Sequence, residues 1–283
     1  MVPRTHSKPP GHLAWATDIH LDHINTTTGV RRLGEALSAP RDGVPPVAVL
    51  LTGDIANALR LVDELASLRR YIPPTIPAYF VLGNHDFYRG SIDAMRRIAL
   101  EVEGYKYLPA IGPVLLAEDT ILVGVDGWGD ATYGTPDSST VELNDCVLIA
   151  EIHHARKGGR AAMNRALRKL AREDAILLCD NLHRALIQSP RRIIVGTHVP
   201  PFREAAWHMG KPSDDQYAPY FSCKATGDVL LAVAARHSAV EFVVLCGHSH
   251  GGGTYQPLPN LVVYTGAAAY GSPMAQVPIL LGW

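Results

Sequence analysis

No apolar run in this 283-residue chain approaches the length of about 18 residues that a bilayer-spanning helix needs, which excludes a membrane protein of that kind. The opening stretch, residues 1–12, carries proline, histidine and charge but no apolar core, so it does not read as a secretory leader. Charge of one sign is lacking too. Lys and Arg number 26 against 27 Asp and Glu, a formal net charge of −1, without the basic excess of a protein whose main business is gripping a nucleic-acid backbone. A local basic groove stays open, so nucleic acid is a less favoured partner. Cysteine is scarce and scattered. The four, at 146, 179, 223 and 246, match neither a zinc knuckle nor a CxxC pair and read as reduced, semi-buried thiols of a cytoplasmic protein. No internal repeat, low-complexity tract or linker interrupts the chain, so residues 12–283 read as a single domain behind a flexible tail at residues 1–11.

What is present is apolar residues and histidine. A hydrophobic fraction of 47% excludes intrinsic disorder, and 13 histidines is a high number. Short runs rich in Val, Ile and Leu read as buried strands: His12–Thr17, Val47–Thr52, Ala78–Leu82, Val114–Ala117, Ile121–Val125, Arg192–Thr197, Val240–Cys246 and Leu261–Thr265. Helical spacing appears over Gly29–Ser38, Asn57–Tyr71, Ser91–Glu103, Gly159–Gln188 and Thr226–Arg236. Ser91 is the expected N-cap of the third, and the fourth is expected to be bent or split. Strands alternating with helices point to a layered α/β domain whose chemistry lies in loops at strand C-terminal ends. Two irregular segments, Gly127–Ser139 and Val199–Gly227, are long enough to suggest function.

Five of those apolar runs end in Asp18-Ile19-His20, Gly53-Asp54, Gly83-Asn84-His85-Asp86, Gly196-Thr197-His198 and Gly247-His248-Ser249-His250. In extended backbone, residues i and i+2 point the same way, so Asp18 with His20, and His248 with His250, can each grip one site. Setting His85 and Asp86 aside, seven donors result: two carboxylates, one amide oxygen and four imidazoles. One metal ion would be oversubscribed, whereas two divalent ions sharing Asp54 would not. The absence of thiolate and the wealth of imidazole favour Mn or Fe, with Zn the third choice, over Ca or Mg alone. Two such ions, two carboxylates and a bridging hydroxide leave roughly one positive charge, which suits an anionic phosphoryl group.

The ordered set DxH, GD, GNHD/E, a single His and GHxH resembles the signature of the calcineurin-like metallophosphoesterase superfamily, over about residues 12 to 275. The resemblance implies an α/β fold, a four-layer αββα sandwich of two mixed sheets with a dimetal centre at strand ends. It implies that Asp18, His20, Asp54 and His250 bind the first ion, and Asp54, Asn84, His198 and His248 the second. It makes His85 the group that protonates the leaving oxygen or steadies the transition state, with Asp86 a candidate to orient it. The independent chemistry agrees on His85, because a leaving oxygen needs a proton or a positive neighbour. Purple acid phosphatases resemble the pattern but carry DxG in the first motif and a tyrosine three residues after the GD aspartate, where this chain has Asn57.

Other residues carry two readings each. Asn57 is a helix-start residue or a phosphate contact, and Arg89 is a phosphate contact or a surface ion-paired arginine. Asp22 and His23 touch substrate or cap the following helix. Trp207, His208, Tyr217, Tyr220 and Phe221 stack on a base or form a small core under their loop. Asp126, Trp128 and Asp130 read as pocket rim. His153-His154 reads as a surface or helix-terminal pair, and Arg69-Arg70, Arg96-Arg97 and Arg191-Arg192 read as solvated ends. The function expected is hydrolysis of a small-molecule phosphodiester or phosphomonoester, a cyclic nucleotide or related ester, by a metal-bridging hydroxide. A single-strand or repair nuclease is the alternative among enzymes. A non-catalytic scaffold is the alternative outside them.

Overall fold

Strands that are buried at every position must be covered on both faces, and this requirement organises the molecule. The computed structural model describes residues 11–24 and 26–282, so nearly all of the expected tail lies outside the described residues. In chain order the strands are β1 (His12–Ala16), β2 (Ala48–Thr52), β3 (Ala78–Val81), β4 (Lys106–Tyr107), β5 (Val114–Ala117), β6 (Thr120–Gly124) and β7 (Arg192–Gly196). They continue with β8 (Trp207–His208), β9 (Lys211–Pro212), β10 (Glu241–Cys246), β11 (Gly253–Leu258), β12 (Leu261–Thr265) and β13 (Ile279–Leu280). The helices are α1 (Thr27–Ser38), α2 (Leu61–Arg69), α3 (Ile92–Ala99), α4 (Leu108–Ile111), α5 (Asp145–Leu148), α6 (Ala150–Arg156), α7 (Arg160–Leu186), α8 (Ala218–Phe221) and α9 (Lys224–Arg236).

One sheet has the order β13-β1-β2-β3-β4 and the other β11-β12-β10-β7-β6-β5. Both are mixed: β1 to β4 run parallel with β13 antiparallel, and β12, β10, β7 and β6 run parallel with antiparallel strands at each end. The period-2 alternation of side chains assigns the layers. Leu13, Trp15, Leu50 and Val81 of the first sheet meet Leu122, Ile194, Val243 and Leu245 of the second in a central apolar layer. Their sequence neighbours face outward. Ala14, Val49, Leu51 and Phe80 pack under helices that include α1, α2 and α3. Ile193, Val195, Phe242 and Val244 pack under α7 and α9. The result is the four-layer αββα sandwich.

Helix boundaries show where local chemistry overrides periodicity. Ser91 caps α3 as expected, its Oγ accepting the Ala94 N–H at 3.3 Å. The second helix begins at Leu61 rather than at Asn57, because the Asn57 side chain accepts the Leu59 N–H and turns the chain first. The Gly159–Gln188 stretch, expected to be bent or split, contains a single helix of 27 residues.

Two other expectations are corrected. Asp126, Trp128 and Asp130 do not form a rim; all three are buried. Trp128 packs on Phe87 with ring centroids 5.1 Å apart, and Asp130 accepts the Ala225 N–H in the first turn of α9. Nor is Arg96 a solvated end. Its Nε donates to Asp126 and its Nη2 to Asp174, both at 2.9 Å. Asp126 also accepts from Leu82 N and Tyr107 Oη, and Asp174 accepts from Gly127 N, so one arginine joins α3, α7 and the loops after β3 and β6. Burial pushes the Asp174 carboxyl up to about 7 against the pull of Arg96. Arg192 is likewise paired, with Glu241 at 2.7 Å. Removing Arg96 strands two buried carboxylates, so Arg96→Met is expected to cost about 3 kcal/mol, read as a lower midpoint in urea unfolding at neutral pH.

Candidate dimetal site

Past their last paired residues, the strands hand the chain to loops that lie side by side. Asp18 N donates to Gly53 O, His20 N to Asp54 O, and Gly247 N to His198 O, at 2.9–3.0 Å. The expected extended geometry does not occur. Asp18, His20, Asp54, His248 and His250 all have positive φ, between 39° and 67°. Asp and His tolerate this left-handed region better than most residues, so the ligand types and the turn types coincide. Gly83 and Gly247 are needed for contact rather than for φ. A Cβ on Gly83 would strike Asp54, and one on Gly247 would strike Thr17 and the Asp18 carboxylate.

The structure brings all seven expected donors together. Asp18, His20, Asp54 and His250 form one group that could hold a metal ion, and Asp54, His198 and His248 form another. Asp54 lies between them. Its Oδ1 is 3.3 Å from His198 Nε2, while its Oδ2 is 3.9 Å from His20 Nε2. His20 Nε2 and His250 Nε2 are 3.2 Å apart, and His250 Nε2 is 3.5 Å from Asp18 Oδ1. Asp18 is held from behind by the Thr17 hydroxyl and the His248 N–H.

Tautomers provide the test of fit. His198 Nδ1 lies 2.9 Å from Thr52 O and His248 Nε2 lies 3.0 Å from Tyr220 O, so each donates its ring N–H to a carbonyl. In the neutral rings that metal ligation requires, the remaining nitrogens are lone-pair atoms. They face one another at 3.2 Å and face Asn84 Oδ1 at 3.0 and 2.9 Å. Acceptors set against acceptors in a buried place call for a cation between them, and an N/O donor set free of thiolate fits divalent transition ions. In the bare site the ionisation divides: His20 and His248 stay neutral, while His198 takes a proton where a cation would otherwise sit. Burial pushes His20 down to about 3, and burial together with His198 does the same to His248. Burial disfavours charge on His198 as well, but the Asp54 carboxylate overrides it and raises the group to about 10. Burial raises Asp18, while for Asp54 it is outweighed by His198 and His85, which hold that carboxyl well below its usual range.

The remaining expected residues divide. His85 faces the pocket, its Nε2 3.8 Å from Asp54 Oδ2 and its ring stacked on Tyr88 at 4.2 Å between centroids. Asp86 does not orient it. The Asp86 carboxylate accepts the backbone N–H groups of Ile55, Ala56 and Gly83, stapling the second and third site loops together. Asn57 is tied to Asp22, its Nδ2 donating at 2.7 Å, and Arg89 is exposed; neither lines the pocket. His208 does line it, with Phe221, and both pack with Tyr217, whereas Tyr220 is buried in the core.

Sequence reasoning missed Tyr270, whose ring lies 4.4 Å from that of His20 and whose hydroxyl is 3.5 Å from His85 Nε2. It also missed Tyr88 and Asp145, which bond to Asn84. None of these three sits in a motif, and no periodic signal marks them.

A family profile described as calcineurin-like phosphoesterase matches residues 11–252. Among solved structures, a dimetal phosphatase from Danio rerio is similar at 15% identity and a TM-score of 0.57, covering 91% of this chain and 87% of that one. A 5'-nucleotidase precursor from Thermus thermophilus matches at 13% identity and a TM-score of 0.45 over 95% of this chain, which spans only 54% of that protein. A calcineurin-like phosphoesterase from Bacillus subtilis matches at 10% identity and a TM-score of 0.44, over 96% and 90% of the two chains. A search of curated protein sequences found no match.

Because the two oxygens of Asp54 face the two donor groups, Asp54→Ala is expected to abolish binding of both ions rather than one. Titration calorimetry with Mn²⁺ on metal-stripped protein reads this directly, and retention of either ion at its original affinity would refute a shared carboxylate.

Proposed function

The chain belongs to the calcineurin-like phosphoesterase family, and from that premise we propose that it is a dimetal-dependent phosphoric ester hydrolase acting on a small molecule. The substrate class proposed is a phosphodiester or phosphomonoester, a cyclic nucleotide or a related ester. The carrying observation is the meeting of Asp18, His20, Asp54, Asn84, His198, His248 and His250 in one cluster, buried except for the partly exposed His250, with a donor atom of each turned toward the others. Asp18, His20 and His250 are assigned to one ion, Asn84, His198 and His248 to the other, and Asp54 to both. Mn or Fe is proposed first and Zn third. Two such ions supply Lewis acidity, an activated water at neutral pH and a clamp on the phosphoryl oxygens.

The protein's own part is proton transfer and shape. His85 opens onto the pocket and is not needed as a ligand, so it is assigned to protonate the leaving oxygen. The Tyr270 hydroxyl stands close enough to steady its Nε2. The pocket has a volume of about 280 Å³, and among the described residues that line it none is Lys or Arg, while Glu142 adds a carboxylate. A small ester with one phosphoryl group suits such a place better than a polyanionic strand, which would need a cationic track. That argument ranks the small-molecule esterase above the nuclease. Among the described residues no helix is long and apolar enough to cross a membrane. The four cysteines form no disulfide, which suits the proposed cytoplasmic setting.

Screening the Mn-loaded protein against bis-nitrophenyl phosphate, nitrophenyl phosphate, cyclic nucleotides and single-stranded DNA tests the reading. Hydrolysis of the small esters, lost with chelator and restored by Mn²⁺, is expected. Activity indifferent to chelator would end it, and preferential cleavage of DNA with steep salt dependence would move it to the nuclease. His85→Ala is expected to keep the bound metal and to slow an alkyl ester about 100-fold or more, while a nitrophenyl ester, whose leaving group needs little protonation, loses far less. Equal losses on both esters would remove His85 from the acid role.

A further inference from the structure

Asn84 is the one amide among the seven donors, and its chemistry depends on which way it is turned. An amide presents an oxygen on one side and an NH2 on the other, with almost the same shape, and only the oxygen can face a cation. Three observations bear on what sets the choice. Asn84 Nδ2 donates to Asp145 Oδ1 at 2.8 Å and to Tyr88 Oη at 3.0 Å. The Tyr88 hydroxyl in turn donates to the same Asp145 oxygen at 2.7 Å, which spends its hydrogen and leaves its oxygen free to accept from Asn84. All three residues are buried.

We propose that Asp145, acting through Asn84 and seconded by Tyr88, is the positioning residue that turns the Asn84 carbonyl oxygen toward the ion shared with His198 and His248. The inference rests on the two-ion reading of the site. An ionised carboxylate only accepts, so the side of Asn84 that faces Asp145 must be its NH2. Asp145 reaches the cluster from α5, outside every motif strand-end loop, 61 residues along the chain from its partner. Replacing it with asparagine keeps the shape but lets position 145 offer either a donor or an acceptor. The orientation of Asn84 is then no longer imposed.

The experiment is Mn²⁺ titration calorimetry on metal-stripped protein, with circular dichroism to confirm folding. Wild type is expected to bind two ions. Asp145→Asn is expected to bind one with unchanged affinity and the other 10–100-fold more weakly, the usual effect of losing a group that orients a ligand. A purely structural role would weaken both ions or neither, and either result overturns the proposal. A second variant keeps the test decisive if the first does not fold. The exchanged pair Asn84→Asp with Asp145→Asn puts the carboxylate on the ion side, where either oxygen serves, and lets position 145 donate to it. Two-ion binding is expected to return in that folded double variant, and binding of a single ion by it would refute the proposal. Wild type binding fewer than two ions would be a failure of the two-ion reading itself, distinguishable because it precedes any substitution.

Discussion

The structure depends on holding six buried metal-type donors and the partly exposed His250 within a few ångströms of one another. Buried carboxylates and imidazoles without partners are costly, and a cluster turned toward itself is more so. Several outward-facing atoms of these groups are therefore bound to fixed partners. Thr52 and Tyr220 carbonyls take the His198 and His248 protons, Thr17 and the His248 N–H hold Asp18, and the His85 N–H holds Asp54. His20 Nδ1 is buried without a partner, and the other unmatched atoms named above face the cluster. The folded chain thus keeps an electrostatic demand that divalent cations satisfy.

The site belongs to neither sheet alone. Asp18, His20, Asp54 and Asn84 come from loops after β1, β2 and β3, while His198, His248 and His250 come from loops after β7 and β10. Its geometry therefore requires the two sheets to keep their relative position. The central apolar layer does most of this, and Arg96 with Asp126 and Asp174 adds a polar tie near the strand ends. Asp86 performs the same service on a smaller scale between the loops after β2 and β3.

Much of this was legible in the sequence. A metal ligand must be one of a few residue types, and a buried strand must be apolar, so Gly83-Asn84-His85-Asp86 after an apolar run states both its chemistry and its place. The strands were legible for the same reason. The edge strands β13 and β11 were not, since β13 is only two residues long beside Pro278 and β11 has no continuous apolar run. The function of Asp86, Asp126 and Arg96 was hidden because a carboxylate or a guanidinium looks the same in sequence whether it meets solvent or a backbone N–H. Asp145 and Tyr270 were hidden more deeply. Their partners lie 61 and 185 residues away, and only tertiary folding brings them together. Helix ends failed where a side chain such as that of Asn57 closes a local turn against the periodic pattern.

The left-handed backbone at Asp18, His20, Asp54, His248 and His250 has a consequence for anyone who would transplant this centre. Copying the side chains onto the rims of another scaffold, with ordinary backbone beneath them, would aim the same atoms in other directions. A β-branched residue at any of the five would be penalised by its own main chain before coordination was considered. The portable unit is therefore the set of crooked turns, and the ligands travel with it as passengers.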